Sequence, residues 1–303
     1  MRSDTRYADW IAVDWGTSHL RAWAMRGDRP VAEATSDRGM STLERDGFEP
    51  ALLELIDPWL GQGRMAVVAC GMVGSRQGWA EAVYTAVPCA PASGRMTRAQ
   101  TRDARLSVHI LPGLKQDSPA DVMRGEETQI AGHLAREPGF DGVICLPGTH
   151  TKWTQISARE VVSFRTFMTG EMFALLARQS VLRHTVGDGW DDAAFAEAVG
   201  DAMARPEAMA ARLFSLRAEG LLHGLDPASA RSRLSGTLIG AELAAARPYW
   251  LGQDLVIIGD ASLGRRYAEA LEQQGLSPRI IDATVATQAG LTAAWQSLKE
   301  TTT

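Results

Sequence analysis

The chain has 303 residues, 45% of them hydrophobic, and 31 Lys and Arg stand against 36 Asp and Glu for a formal net charge of −5. That length exceeds what one core comfortably fills, so two domains with a cleft between them are expected, and an acidic balance without a basic run excludes a nucleic-acid partner. The longest apolar stretches, "MAVVACGMVG" and "DLVIIGDASLG", are strand-length and broken by glycine, which excludes a membrane-spanning helix, and the start "MRSDTRYADW" lacks the apolar core of a signal peptide.

In chain order, apolar β-rich runs predict strands at 10–13, 20–25, 65–70, 108–111, 143–146 and 255–258, most of them followed by glycine and then a helical pattern. The alternation predicts an α/β class. Helices are expected over "FEPALLELIDPWL", "VMRGEETQIAGHLARE", "TGEMFALLARQSVLRH", "AAFAEAVGDAMARP", "AARLFSLRAEGLL", "GTLIGAELAAAR", "RRYAEALEQQG" and "ATQAGLTAAWQSLKE". "AREPGFDG" (135–142) combines Pro and Gly between a helix and a strand and is the expected domain boundary. Cys70, Cys89 and Cys145 form no CxxC pair and leave an odd count, which fits reduced thiols in the cytoplasm.

Each half opens on a strand that enters a Gly-Thr turn and leaves as a second strand: "IAVDWGTSHLRAW" and "VICLPGTHTKWTQI". Backbone N–H groups and hydroxyls at such a tip can converge on a phosphate oxygen. Either alone reads as an ordinary hairpin; one at the head of each half suggests a pair gripping a polyphosphate, with Gly16, Thr17 and Ser18 at the first tip and Gly148, Thr149 and Thr151 at the second. No GxGxxG follows the first strand and no GxxxxGK[ST] occurs anywhere, so Rossmann and P-loop sites are excluded.

This arrangement resembles the actin-like ATPase superfamily of hexokinases, glycerol kinase, Hsp70 chaperones and acetate kinase. "DWGTSHLRAW", "GMVGSRQGW", "LPGLKQ", "MRGEETQ", "LPGTHTKW" and "FMTGEMF" together are similar to the 2-dehydro-3-deoxygalactonokinase family. The resemblance implies two actin-like (ribonuclease H-like) α/β domains: residues 1–138 for sugar acid and phosphate, joined by a returning C-terminal helix at about 284–303, and residues 139–283 for nucleotide. It implies phosphorylation of 2-dehydro-3-deoxy-D-galactonate at the 6-hydroxyl, with ATP and Mg²⁺, in galactonate catabolism. The alternatives are another keto-deoxy sugar acid such as 2-dehydro-3-deoxygluconate, or a phosphohydrolase or ATPase on the same fold. A non-catalytic sensor is disfavoured, because no helix-turn-helix extension or basic face is present. A homodimer is left open.

Residue roles follow from that resemblance and from the chemistry. Asp14 ends its strand where the superfamily has an aspartate organising Mg²⁺ through water; a turn-capping aspartate is the plainer alternative. Lys152 could add a point charge to the second tip or point to solvent. In "GEET", the acid-Thr match favours Glu127 as general base, with Glu126 as runner-up, while acidic charge at a helix N-terminus is the plain account of both. A substrate carboxylate asks for an arginine fork: Arg76, beside Gln77, is the first candidate, and Arg21 and Arg165 compete, the latter with Thr169 and Glu171 near a helix start. Surface ion pairs are the commoner use of any single arginine. Gly259, Asp260, Ala261 and Ser262 resemble the turn that meets ribose and α-phosphate at a helix N-terminus.

Overall fold

The computed structural model describes residues 8–302. The chain folds as two compact units, the first made of the described residues up to 140, residues 157–163 and those from 283 onward, the second of residues 141–156 and 164–282.

The first unit runs β1 (Trp10–Trp15), β2 (Leu20–Arg26), β3 (Arg29–Ser36), α1 (Phe48–Ile56), β4 (Met65–Gly71), β5 (Tyr84–Ala86), β6 (Thr97–Arg98), β7 (Leu106–Ile110), β8 (Gly113–Asp117), β9 (Ala120–Met123) and α2 (Glu126–Arg136). Its main sheet has the order β3-β2-β1-β4-β7-β6, with β1 antiparallel to β2 and parallel to β4, and β4 parallel to β7. β1 and β4 are central strands buried on both faces, so they read as continuous apolar runs rather than alternating ones. A strand sends successive side chains to opposite faces. Val13 and Trp15 therefore join Phe48 and Leu52 of α1 on one side, and Trp10 and Ala12 join Leu291 and Ala294 on the other.

The second unit runs β10 (Gly142–Leu146), β11 (Thr151–Ser157), β12 (Glu160–Phe167), α3 (Thr169–Gln179), α4 (Asp192–Ala204), α5 (Met209–Leu222), α6 (Pro227–Ala245), α7 (Arg247–Trp250), β13 (Leu255–Gly259), α8 (Ala261–Glu272) and β14 (Arg279–Asp282), apart from residues 157–163 at the end of β11 and the start of β12, which group with the first unit. Its sheet has the order β12-β11-β10-β13-β14. β10 is antiparallel to β11 and parallel to β13, which is parallel to β14. The first five strands of the first sheet repeat this order, so the rhyme between the two hairpin sequences reflects a repeated α/β topology. Asp191, Asp226 and Asp260 cap α4, α6 and α8 through side-chain bonds to their first free N–H groups. The last helix, α9 (Ala283–Thr302), belongs to the first unit, where Trp295 stacks on Trp10 at 4.9 Å.

All six expected strands are present, each within a few residues of its predicted bounds. Two readings change. The pattern at 122–137 predicts one helix, whereas Ala120–Met123 is a strand paired with β8 and the helix starts at Glu126, because Gly125 at φ +111° breaks the chain direction. β3, half exposed and without an apolar run, carries no strand signal strong enough to predict.

Candidate active site

In the first unit, β1 ends in Asp14, flanked by Arg21 on β2 and Cys70 on β4. Arg21 Nη2 donates to Asp14 Oδ2 at 2.6 Å, Arg21 Nη1 reaches Thr284 Oγ1 at 3.4 Å, and Cys70 Sγ lies 3.9 Å from Asp14 Oδ1. The partner that a carboxylate at this position needs is therefore Arg21. Burial outweighs Arg21 and leaves the Asp14 carboxyl above the usual range, and the charge of Glu126 adds to the rise. Arg21, a candidate for the substrate carboxylate, thus has one nitrogen of its fork engaged by Asp14 and the other near Thr284.

The start of α2 comes close to these strand ends because two glycines meet there. A Cβ on Gly71 (φ +89°) would lie 2.7 Å from Trp15 O, and one on Gly125 would lie 3.3 Å from Gly71 Cα. The two glutamates that follow differ sharply. Glu127 is fully buried; its Oε2 accepts from Gly125 N at 2.7 Å and its Oε1 from the Thr128 hydroxyl at 3.2 Å. Burial, and then the negative charge of Glu126, push it up to about 8. Glu126 is only half-buried, and its Oε2 accepts from Arg124 N at 3.1 Å. Glu126 is also the glutamate whose charge acts on Asp14.

The first hairpin tip, Gly16–Ser18, is backed by residues 39–41: Met40 N donates to Gly16 O and Ser41 N to Thr17 O, both at 3.0 Å, leaving Thr17 and Ser18 exposed. Arg76 and Gln77 sit exposed on the turn after β4, Arg76 making only a loose 3.6 Å pair with Glu81. A polar cavity of about 850 Å³, with Trp79, Arg98 and Arg102 in its lining, lies on the α1 side of the sheet, whereas Asp14 faces the other way.

In the second unit the tip between β10 and β11 meets the start of α3. Glu171 N donates to Thr149 O at 2.9 Å, and a Cβ on Gly170 would fall 2.2 Å from Gly148 O. Gly148, Thr149, Thr169, Gly170, Asp260 and Ser262 line one wall of a cavity of about 550 Å³. Also in its lining, Arg266 lies 3.9 Å over the Trp190 ring and Arg231 5.2 Å over Phe173. The Asp260 carboxylate caps α8, taking Ser262 N at 2.9 Å and Leu263 N at 3.1 Å. Gly259 packs against Pro147, and Ala261 opens α8.

Five further candidates have these surroundings. Thr151 is fully buried with its hydroxyl 2.9 Å from that of Tyr267, so it cannot offer that hydroxyl to a phosphate. The Thr169 hydroxyl is donated to Glu242, although the residue lines the cavity. Lys152 is buried and donates to His150 O at 3.2 Å, rather than pointing to solvent. Glu171 pairs with His150 at 2.7 Å, and Arg165 is exposed on β12. Sequence reasoning passed over Glu242, although an acid within the apolar run "TLIGAELAAA" is a signal in itself. Burial holds its carboxyl at about 7, against three hydrogen-bond donors that lower it.

Among the described residues no group of three or more acidic, His or Cys side chains could hold a metal ion. A single half-buried carboxylate such as Asp14 is a donor that would suit an ion retaining most of its waters, as Mg²⁺ does.

A repeated sheet with a Gly-Thr turn at the head of each copy, acids gathered at one turn and a ligand-sized cavity beside the other, is the build of kinases on the actin-like ATPase fold, and this chain is of that class. Component A of (R)-2-hydroxyglutaryl-CoA dehydratase from Acidaminococcus fermentans shares the fold, with a TM-score of 0.54 at 11% identity over 95% of this chain and 98% of its own. The chain belongs to the 2-keto-3-deoxy-galactonokinase family, whose model matches residues 14–294. A relative from Rhizobium meliloti (strain 1021), named "Probable 2-dehydro-3-deoxygalactonokinase DgoK1", is 42% identical over 299 residues, covering 95% of this chain and 97% of the relative. The 2-dehydro-3-deoxygalactonokinase of Escherichia coli (strain K12) is 35% identical over 289 residues, 94% of this chain and 96% of that one. The crystal structure of a Sinorhizobium meliloti protein assigned to the same kinases has a TM-score of 0.85 at 41% identity, over 95% and 96% of the two chains.

Proposed function

We propose that the chain is an ATP-dependent kinase that transfers the γ-phosphoryl group to the 6-hydroxyl of 2-dehydro-3-deoxy-D-galactonate, a step of galactonate catabolism. Family membership across residues 14–294 is the observation that carries this reading.

The first unit takes the sugar acid. Phosphoryl transfer is chiefly a matter of positioning and of positive charge against the phosphates. Glu126 accepts the hydroxyl proton as the oxygen attacks the γ-phosphorus and ADP leaves. It is the accessible member of the glutamate pair, and its neighbour Glu127, at about 8, keeps its own proton at neutral pH. Two carboxyl groups whose environments separate them in this way divide the acid and base states between them. We thus rank Glu126 ahead of Glu127, the opposite of the sequence preference, which has Glu126 as runner-up. Arg76, exposed and only loosely paired, takes the substrate carboxylate with Gln77 beside it. Gly16, Thr17 and Ser18 present the first tip to phosphate oxygens.

The second unit takes ATP, with the polyphosphate at Gly148 and Thr149 and the nucleoside in the 550 Å³ cavity. Asp14 would be the residue to steady a Mg²⁺ ion, through water, and the ion would supply charge neutralisation at the transferring group. No helix among the described residues is long and apolar enough to cross a membrane, and we assign the reaction to the cytoplasm, where ATP is made.

ADP release measured by a coupled assay across keto-deoxy sugar acids tests the reading. Turnover should depend on the acceptor, one phosphate consumed per sugar acid, with the galactonate-derived acid preferred over the gluconate-derived one. ADP release at the same rate without any acceptor would instead make the chain an ATPase.

A further inference from the structure

Glu242 is buried within α6, and among the described residues no cation pairs with it. Its Oε1 accepts from Trp153 Nε1 at 2.8 Å; its Oε2 accepts from the Tyr267 hydroxyl at 2.8 Å and from the Thr169 hydroxyl. Tyr267 has one proton and gives it to Glu242, so Thr151, at 2.9 Å from the Tyr267 oxygen, donates in turn. One carboxylate thus gathers β11 through Thr151 and Trp153, α3 through Thr169, and α8 through Tyr267.

Those three elements carry the polar wall of the second unit's cavity. Gly148 and Thr149 immediately precede β11, Gly170 follows Thr169 on α3, and Asp260 and Ser262 stand at the start of α8. Hydrogen bonds bind the wall together from the outside as well, through Glu171 N to Thr149 O and His150 to Glu171. A buried acid without a counter-charge is expensive, and an apolar residue of similar volume would pack more cheaply. What the apolar residue could not do is hold three donors from three elements in one geometry.

We propose that Glu242 is a positioning residue for the nucleotide: by holding Thr151, Thr169 and Tyr267 from behind, it sets the spacing between the Gly148–Thr149 turn, the start of α3 and the start of α8. This rests on the reading of that cavity as the ATP site. Misplacing binding groups by a fraction of an ångström is enough to weaken their grip on a ligand.

Glu242→Gln keeps the shape but replaces one of the two acceptor oxygens by an NH₂, so either the Trp153 N–H or the Tyr267 and Thr169 hydroxyls lose their acceptor and the three elements are no longer held together. The expected result is a KM for ATP, and a Kd for ADP by calorimetry, raised about five- to twentyfold, with the KM for the sugar acid within about twofold of the parent. A merely structural role would lower the melting temperature or the active fraction and leave both KM values alone. A folded E242Q enzyme with both KM values unchanged, or both raised in parallel, overturns the proposal. If E242Q does not fold, Tyr267→Phe and Thr169→Val, each removing one donor, decide it by the same criterion at about three- to tenfold. Ser235→Trp, which fills the cavity from α6, tests the underlying reading separately. Loss of ADP binding in S235W supports the cavity as the nucleotide site, and parental affinity there overturns that site whatever E242Q does.

Discussion

Adjacent glutamates, Glu126 and Glu127, occupy the first turn of α2 and point about 100° apart by helix geometry, and that angle decides their chemistry. Glu126→Gln should reduce kcat by roughly 10²–10⁴-fold, while Glu127→Gln, which mimics the protonated state already present at neutral pH, should retain most of it; steady-state kinetics at pH 7 with saturating ATP separate them. The reverse ranking would restore Glu127 as the base. Glu127 also makes a stability prediction. Its carboxyl titrates near the ordinary glutamate range when unfolded and at about 8 when folded, so its favourable contribution is complete below pH about 4.5 and is lost as pH rises through about 8. E127Q should therefore gain on the parent across that window, by on the order of a few kcal/mol at its alkaline end. Parallel melting curves from pH 5 to 8.5 would contradict it. Arg76→Lys replaces a fork by a point charge; the KM for the sugar acid should rise about tenfold or more with the KM for ATP unchanged, and if neither constant moves the carboxylate is held elsewhere.

At the level of elements, α2 reaches its position because it crosses α9 at backbone contact. A Cβ on Gly132 would lie 1.9 Å from Ala286 O, and one on Gly290 would lie 1.9 Å from Thr128 O. Gly132→Ala gains about 1 kcal/mol in helix propensity, but the obstacle is backbone that cannot rotate aside, so overpacking at roughly 1–3 kcal/mol or more wins. G132A should be less stable by urea denaturation, and it should lose kcat/KM as well, because the same helix carries Glu126 and Glu127 within about two turns. A more stable G132A would mean that the crossing is looser than these distances require. Much of this level was legible beforehand. The buried strands β1, β4, β7, β10 and β13 announce themselves as apolar runs, whereas the helix expected over 236–247 starts earlier, at Pro227, where Asp226 caps it. Half-exposed β3 and the short β9 pair with the strands just before them, β2 and β8, across tight turns, but neither carries the buried apolar run by which a strand is read.

Across the whole molecule, the proposed function gives each half of the repeated strand order its own ligand. Hydrogen exchange gives the check: ADP alone should protect peptides covering 147–151, 168–171 and 260–267, and the sugar acid alone those covering 14–18, 72–81 and 124–128, since a ligand stabilises what it touches. Protection of both sets by ADP alone would break the assignment. The sequence by itself determined the α/β class, the two Gly-Thr turns, the acids of "GEET" and the family, because each is a local pattern of residue types at short spacing. Only the tertiary structure decided which of those groups are available for chemistry. Burial closed off the Thr151 hydroxyl, the Asp14 carboxylate claimed Arg21, and Glu242, 89 residues from Trp153 in the chain, gathered Thr169 and Tyr267 beneath the cavity. Hydrogen-bond partners and solvent access are properties of where distant segments meet, and a carboxylate or hydroxyl reads the same in sequence whether it faces a substrate or its own core.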